Sequence, residues 1–495
     1  MKRTRREFLQ LSAIGLAGAA FAACKPAAPT AAPSQPKEAE PAEPAEPAGP
    51  TFQGKVEMWV QTYTPSEDPV KSEDNPQPRT ESKKIAERYM ELHPGVEVVV
   101  VDKPAGVADH EWIVTQQAGG TIPHIVWSHS FWIQDELGKG WWIALDPFMA
   151  EPNPYVADGQ PGSDRWLDLF YEIPTEAKRA PDGKLYVMPL DLVTTFFFYN
   201  ADFFQEMGIE PPETWGDWIE IQQAILDDGR MYPSAHLVWY QSQIGAMLYG
   251  KKDPIINPEG GVVTLEMICC AIKEGLYLGS NPEYQEWLRF VRQLVDYLAP
   301  DWAATGIDRN LKWLNRDVAV LEDGSWRFGI TRANPLVDFE WGSFYSPTIM
   351  ETDSPFAVGK LAPPIGGATA AQWAVTTRAE KEGVLDATID VLRFFSAPQN
   401  AGPMIDEIAN FLPNIKGVPV NPDLVEPLRA VTEGLGEAGM ITYPDKIGTE
   451  YRERLDFIWA DWKLDTISIE EATRQIDDLF VQYADDYIDQ FGWEC

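Results

Sequence analysis

Cysteine is nearly absent from this 495-residue chain, with four residues at Cys24, Cys269, Cys270 and Cys495. So small a set implies no disulfide framework. Cys269 and Cys270 stand side by side in the apolar stretch "LEMICCAI" and read as small core residues. Histidine is also scarce, at five residues. Neither a His-Glu-x-x-His run nor clustered carboxylate spacing accompanies them, so no metal is expected, and His124 and His129 read as satisfied histidines. No Gly-x-Ser-x-Gly elbow occurs. The stretch "GAMLYGKK" (245–252) has the frame of a phosphate loop but ends in Lys252, where magnesium needs Ser or Thr. No cofactor and no catalytic constellation is therefore expected. Positive charge is short as well: 40 Lys and Arg face 76 Asp and Glu, giving a formal net charge of −36. A surface this acidic excludes nucleic acid, whose binding rests on neutralising phosphates. It also disfavours polyanionic ligands and adhesion to anionic lipid. Neutral or cationic small molecules remain.

No apolar run is long enough to span a membrane. The longest near the N-terminus, Leu11 to Ala23, has about 13 residues where a bilayer needs ~20. It follows Lys2, Arg3, Arg5 and Arg6, and a positive head before a short apolar run is the build of a secretory signal, here residues 1–23. "TRREFL" resembles a twin-arginine address. Phe21-Ala22-Ala23-Cys24 resembles a lipobox, so Cys24 is expected to be acylated and to anchor the chain at the outer face of a bacterial cytoplasmic membrane. Residues 24–53 are almost wholly Ala, Pro and Glu and cannot bury enough surface to fold. At about 3.1 Å per residue this spacer reaches roughly 90 Å.

What the chain has in quantity is tryptophan, 19 residues, on a background of alternating strand and helix signals. "KVEMWVQ" (55–61) alternates like a strand, while "VEVVVVD" (96–102) and "HIVWS" (124–128) are buried-strand runs. Helical spacing recurs at Ile85, Tyr89, Leu92; at Trp218, Ile221, Ile225; and at Ala472, Ile476, Leu479, Tyr483. Thr214 is placed to cap the second of these and Gly229 to stop it. The alternation predicts an α/β fold with a largely parallel sheet. More than half of the tryptophans are expected in the core. The rest offer broad flat faces of the kind that bind rings or quaternary ammonium groups.

The order of several motifs carries a resemblance. "KVEMWV", "SKKIAERYMELHPGVEVVVV", "GWWIALDPF", "LYVMPL", "FFFYNADFF", "PPETWGDW", "AVLEDGSW" and "ANFLPNIKGV" follow one another. In that order they are similar to the extracellular solute-binding proteins of ABC importers, in the maltose-binding-like family 1 that mostly takes up sugars. The likeness implies a two-lobed Venus-flytrap fold with ligand held in a cleft between lobes and no enzymatic activity. It implies lobe 1 from residues 54–190 with 346–402, and lobe 2 from 191–345 with part of 403–495. The chain would leave lobe 1 near Pro189, return near Trp341 to Pro347, and cross a third time near Pro403 to Pro413. Carried over by position, the ligand contacts implied are Trp59, Trp127, His129, Asp191, Trp239, Tyr240, Gln241, Trp326 and Trp373. The implied role is a monomeric lipoprotein that captures a sugar or oligosaccharide and delivers it to a membrane permease. An exported polysaccharide-acting enzyme, or a receptor for a polyol or choline-like ligand, stands as the alternative.

Overall fold

The computed structural model describes residues 52–70, 77–249, 262–304, 308–362, 371–429 and 448–495. They belong to one compact unit, Thr51–Cys495. The signal, Cys24 and the Ala/Pro/Glu spacer lie outside the described residues, as do residues 250–252 of the phosphate-loop-like stretch.

Two sheets organise the unit. β1 (Gly54–Trp59) keeps the alternation read in the sequence: Val56 and Met58 are fully buried, whereas Lys55 is exposed. It lies parallel to β2 (Val96–Val100) and β3 (Ile125–Trp127). β11 (Gln372–Thr376) then enters antiparallel to β3, and its other edge is shared by β5 (Val187–Pro189) and β4 (Trp142–Ile143). The second sheet runs β10 (Trp341–Phe344), β7 (Thr195–Asn200), β9 (Val318–Gly324), β8 (Tyr232–Ser234). There β8 and β9 are parallel and the other two pairs antiparallel. The sheets are therefore mixed, where the alternation of strands and helices predicts a largely parallel one. The strand that returns from the far lobe meets its sheet from the opposite direction, and period alone does not reveal that.

Each sheet has its own apolar core, which defines the two lobes. The first core takes strands β1 to β5 and β11, with buried residues from Val56 to Leu190 and again from Ala371 to Ile415. The second runs from Leu192 to Ala362 and from Leu412 onward, including the C-terminal helices. Between them, β6 (Asp191–Leu192) pairs antiparallel with β12 (Leu412–Pro413). The first core reaches Leu190 and the second begins at Leu192. The return falls later than Trp341 to Pro347, because Ile349, Ala357 and Ala362 stay in the second core. Tyr240 Oη donates to Pro347 O at 2.9 Å and Tyr345 Oη to Ala362 O at 2.8 Å, which holds that segment there.

Helix Trp215–Asp228 shows how local sequence sets an element. Thr214 and Asp217 exchange side-chain and backbone hydrogen bonds at its start, and Gly229 ends it at φ 75°. Of the 19 tryptophans, twelve are buried, so most of them are core. Cys269 is buried and free, but Cys270 forms a disulfide with Cys495. This corrects the reading of both as core thiols. Adjacent residues on helix Leu265–Lys273 point about 100° apart, so one faces the core and the other the C-terminal tail.

Candidate ligand-binding cleft

β9 carries the second lobe's contribution to the boundary. Its seven residues are all buried, and it ends at Gly324, two residues before Trp326. A Cβ on Gly324 would lie 2.0 Å from the Trp326 ring, so only glycine lets the indole lie across the strand end. Trp326 is partly exposed and packs against the first core, although its strand belongs to the second. Trp239 meets it edge-on at 5.7 Å. Trp239 opens helix Trp239–Leu248, whose N-terminal amides at Val238 and Tyr240 donate to the buried carboxylate of Glu322. An anion is favoured there by the unpaired N–H groups of the first turn. Burial nonetheless dominates and pushes the Glu322 carboxyl up to about 7. Arg309 lies over the Trp239 ring at 5.4 Å, and Lys463 Nζ donates to Gln241 Oε1 at 2.8 Å. Burial lowers Lys463 to about 8 and His236 to about 4.

The first lobe answers with the ends of β1 and β3. Trp59 contacts Trp112 at 4.8 Å and Trp127 at 5.9 Å. Trp127 in turn touches His129 and Trp132, and His129 stacks on Phe131 at 4.6 Å. Just past β1, Gln61 holds φ 47°, a left-handed conformation uncommon outside glycine. Its Oε1 accepts from Thr62 N–H and Oγ1, and Nε2 reaches Asp109 Oδ2 at 3.4 Å. Such strain concentrates at ligand clamps.

The lobes touch beside this wall. Asp135, on first-lobe helix Ser130–Glu136, accepts from Thr449 N–H at 2.9 Å and from Thr449 Oγ1 at 2.5 Å. Thr449 begins helix Thr449–Lys463, whose Ile458, Trp459 and Trp462 are in the second core. Gln134 donates to Tyr487 Oη at 3.1 Å, and Arg452 lies over the Phe131 ring at 5.6 Å. A cavity of about 530 Å³ adjoins this contact, with Phe131, Gln134 and Arg179 on one side and Val263 and Trp493 on the other.

The sequence profile of the family described as bacterial extracellular solute-binding protein matches residues 73–399. The chain belongs to that family. Solved structures agree on the fold. MalE from Xanthomonas citri superposes with TM-score 0.62 at 16% identity, over 89% of this chain and 100% of the other. The GacH receptor of Streptomyces glaucescens GLA.O gives 0.61 at 16%, over 88% and 100%. Lmo0181 from Listeria monocytogenes gives 0.58 at 15%, over 90% and 100%. No curated protein matches the chain.

In this solute-binding protein the residues read from sequence separate into two groups. Trp326, Trp239 and Gln241 gather on the second-lobe wall, each partly exposed. Trp59, Trp127 and His129 cluster at the first-lobe strand ends, with His129 the most accessible of the three. Asp191, Tyr240 and Trp373 are fully buried, and Trp59 and Trp127 nearly so. Asp191 sits in the hinge ladder, where Oδ2 accepts from Tyr63 Oη at 2.5 Å and Oδ1 from Ala371 N–H at 2.8 Å. Tyr240 points into the second core against Phe197, and Trp373 is the second residue of β11, packed on Tyr63 and Phe395. Glu322, Arg309 and Lys463 lie beside these residues and were not singled out from sequence, whereas Gln61 falls in the loop Trp59 to Thr62 that the likeness places at the cleft. Only Glu322 left a signal, as a carboxylate inside the apolar run "VAVLEDG". His124 is a satisfied core histidine, accepting from Glu57 N–H at 3.0 Å and meeting Glu382 at 3.0 Å. Among the described residues no cluster of ligating side chains could hold a metal ion, and no helix is long and apolar enough to cross a membrane.

Proposed function

We propose that this chain is the capture receptor of an ABC importer for a sugar or oligosaccharide, held between its lobes and handed to a membrane permease. The observation that carries the reading is Trp326, which rises from the second lobe and packs on the first. A ligand stacked there touches both lobes, so its binding energy favours the closed arrangement over the open one. Three chain passages, two of them paired as the β6–β12 ladder, give the hinge. Relatives of the same fold are described with acarbose, with raffinose and with cycloalternan, all carbohydrates. We take lobe 1 as the first core and lobe 2 as the second, with acylated Cys24 and the spacer holding the receptor near its permease and raising effective concentration.

A thermal-shift screen tests this with mono-, di- and oligosaccharides, polyols and choline-type cations. Ligand at 100 times its Kd adds about 2.7 kcal/mol to the folded state, a shift of a few degrees for lobes of ~200 residues. A shift confined to sugars, and reduced in Trp326→Ala, is the expected result. A response to polyols or quaternary amines alone would replace the sugar reading. Turnover of a polysaccharide would replace the receptor reading.

A further inference from the structure

The second-lobe wall holds a cation that no described carboxylate bonds. Among the described residues the Arg309 guanidinium has no hydrogen-bond partner: Nη1 is buried without one, and the group rests on the Trp239 ring at 5.4 Å. Arg88, Arg393 and Arg454 also lack a carboxylate but donate to neutral oxygens, so among the described residues a guanidinium with no acceptor at all is the exception. Others are paired: Arg327 with Asp323, Arg378 with Glu57 and Glu382, Arg179 with Asp146 and Glu176. The carboxylate that feels Arg309 is Glu322, and it is committed to the amides of Val238 and Tyr240. Nearby, Lys463 is bonded to the neutral Gln241, and His236 is uncharged at neutral pH. The Arg309 side chain as a whole remains partly exposed, so a ligand can reach it.

We propose that Arg309, beside Trp239 and Trp326, forms an anion subsite that takes the carboxylate of an acidic sugar, a uronate. This rests on the sugar-capture reading and narrows it. A uronate carries both groups the wall asks for on one ring: an apolar C–H face for an indole and a carboxylate at the ring edge. The guanidinium's planar fork matches a carboxylate bidentately, which a hydroxyl cannot do. The acidity of the whole surface is not an obstacle. At physiological salt, exposed charges beyond about 8 Å are screened, and the unpaired cation at contact distance decides.

The experiment is calorimetric titration with an oligouronate and with its carboxyl-reduced neutral counterpart, at low and high salt. The oligouronate is expected to bind ~10- to 100-fold tighter, the range of a charge-assisted hydrogen bond, and to lose most of that margin at high salt. Arg309→Gln should bring the two sugars to the same affinity, and Arg309→Lys should keep part of the margin as a point charge. Melting curves of both variants confirm folding, and the Lys variant serves if the Gln variant melts early. Equal affinities in the unsubstituted protein, or a preference that survives Arg309→Gln, would overturn the proposal. So would tighter binding of a sulfated sugar than of the uronate. If neutral sugars bind through Trp326 with no preference for uronates, this inference falls and sugar capture stands. If no sugar binds at all, both fall together.

Discussion

Gly324 has no side chain, and the place of Trp326 depends on that. Gly324→Ala would set a methyl inside the indole's volume, so the ring must leave the boundary between the lobes. The expected loss of sugar affinity is about 10-fold, the scale of a well-packed aromatic contact, and should match that of Trp326→Ala. Undiminished binding by the Gly324→Ala protein would show that the ring is not held by the strand end. Glu322 makes a pH prediction. Its folded pKa of about 7 is above the ordinary carboxyl value, so the folded state binds the extra proton. Stability from this group therefore falls as pH rises from ~4.5 to ~7, by up to about 3 kcal/mol at 1.4 kcal/mol per unit. His236, lowered to about 4, acts in the opposite sense, gaining stability as pH rises from ~4 to ~6.5. Urea unfolding at pH 5 and pH 8 should show Glu322→Gln gaining relative stability at pH 8. A larger gain at pH 5 would reverse the assigned sign. At this scale the sequence was half legible. "GSW" singled out Trp326, but nothing in the sequence distinguished Trp373, inside a strand, from Trp127 at the end of one. Arg309 left no signal either, since its meaning lies in having no bonded acceptor among the described residues.

Elements were easier to read than the contacts between them. The Thr214 cap and Gly229 stop are local, need only neighbouring residues, and appear where the sequence places them. The Cys270–Cys495 bond joins residues 225 apart, and adjacency to Cys269 concealed it. Closing a loop of that length is worth about 5 kcal/mol in the chain-entropy account. Cys495→Ser should lower Tm by several degrees, with no further fall on adding reductant. An unchanged Tm would mean that packing alone holds the C-terminal tail. The brace of Asp135 on Thr449 is equally non-local: one lobe's carboxylate supplies a helix cap to the other. Loss of such a cap costs ~1 kcal/mol, enough to shift an open–closed balance about fivefold. Small-angle scattering of unliganded Asp135→Ala should show a larger radius of gyration than the unsubstituted protein. Equal radii would assign Asp135 to local helix stability alone.

At the scale of the whole molecule, the family was legible because the order of motifs survives where individual residues change. Strand direction was not, because parallel and antiparallel strands share the same period. That order has a consequence for when the protein can fold. β11 is central to the first sheet, yet it is contributed by residues 372–376, after nearly all of the second lobe, and it pairs Trp373 with Trp127. Until it arrives, β3 lacks a neighbour on one edge, and β4 and β5 lack the strand they share. Contacts so distant along the chain are slow to form, because a long loop must close before they contribute. A chain ending before residue 371 should therefore expose an unpaired edge to protease while its second lobe already resists. During synthesis and export, the lobe whose sequence comes first is completed only after most of the other has been made.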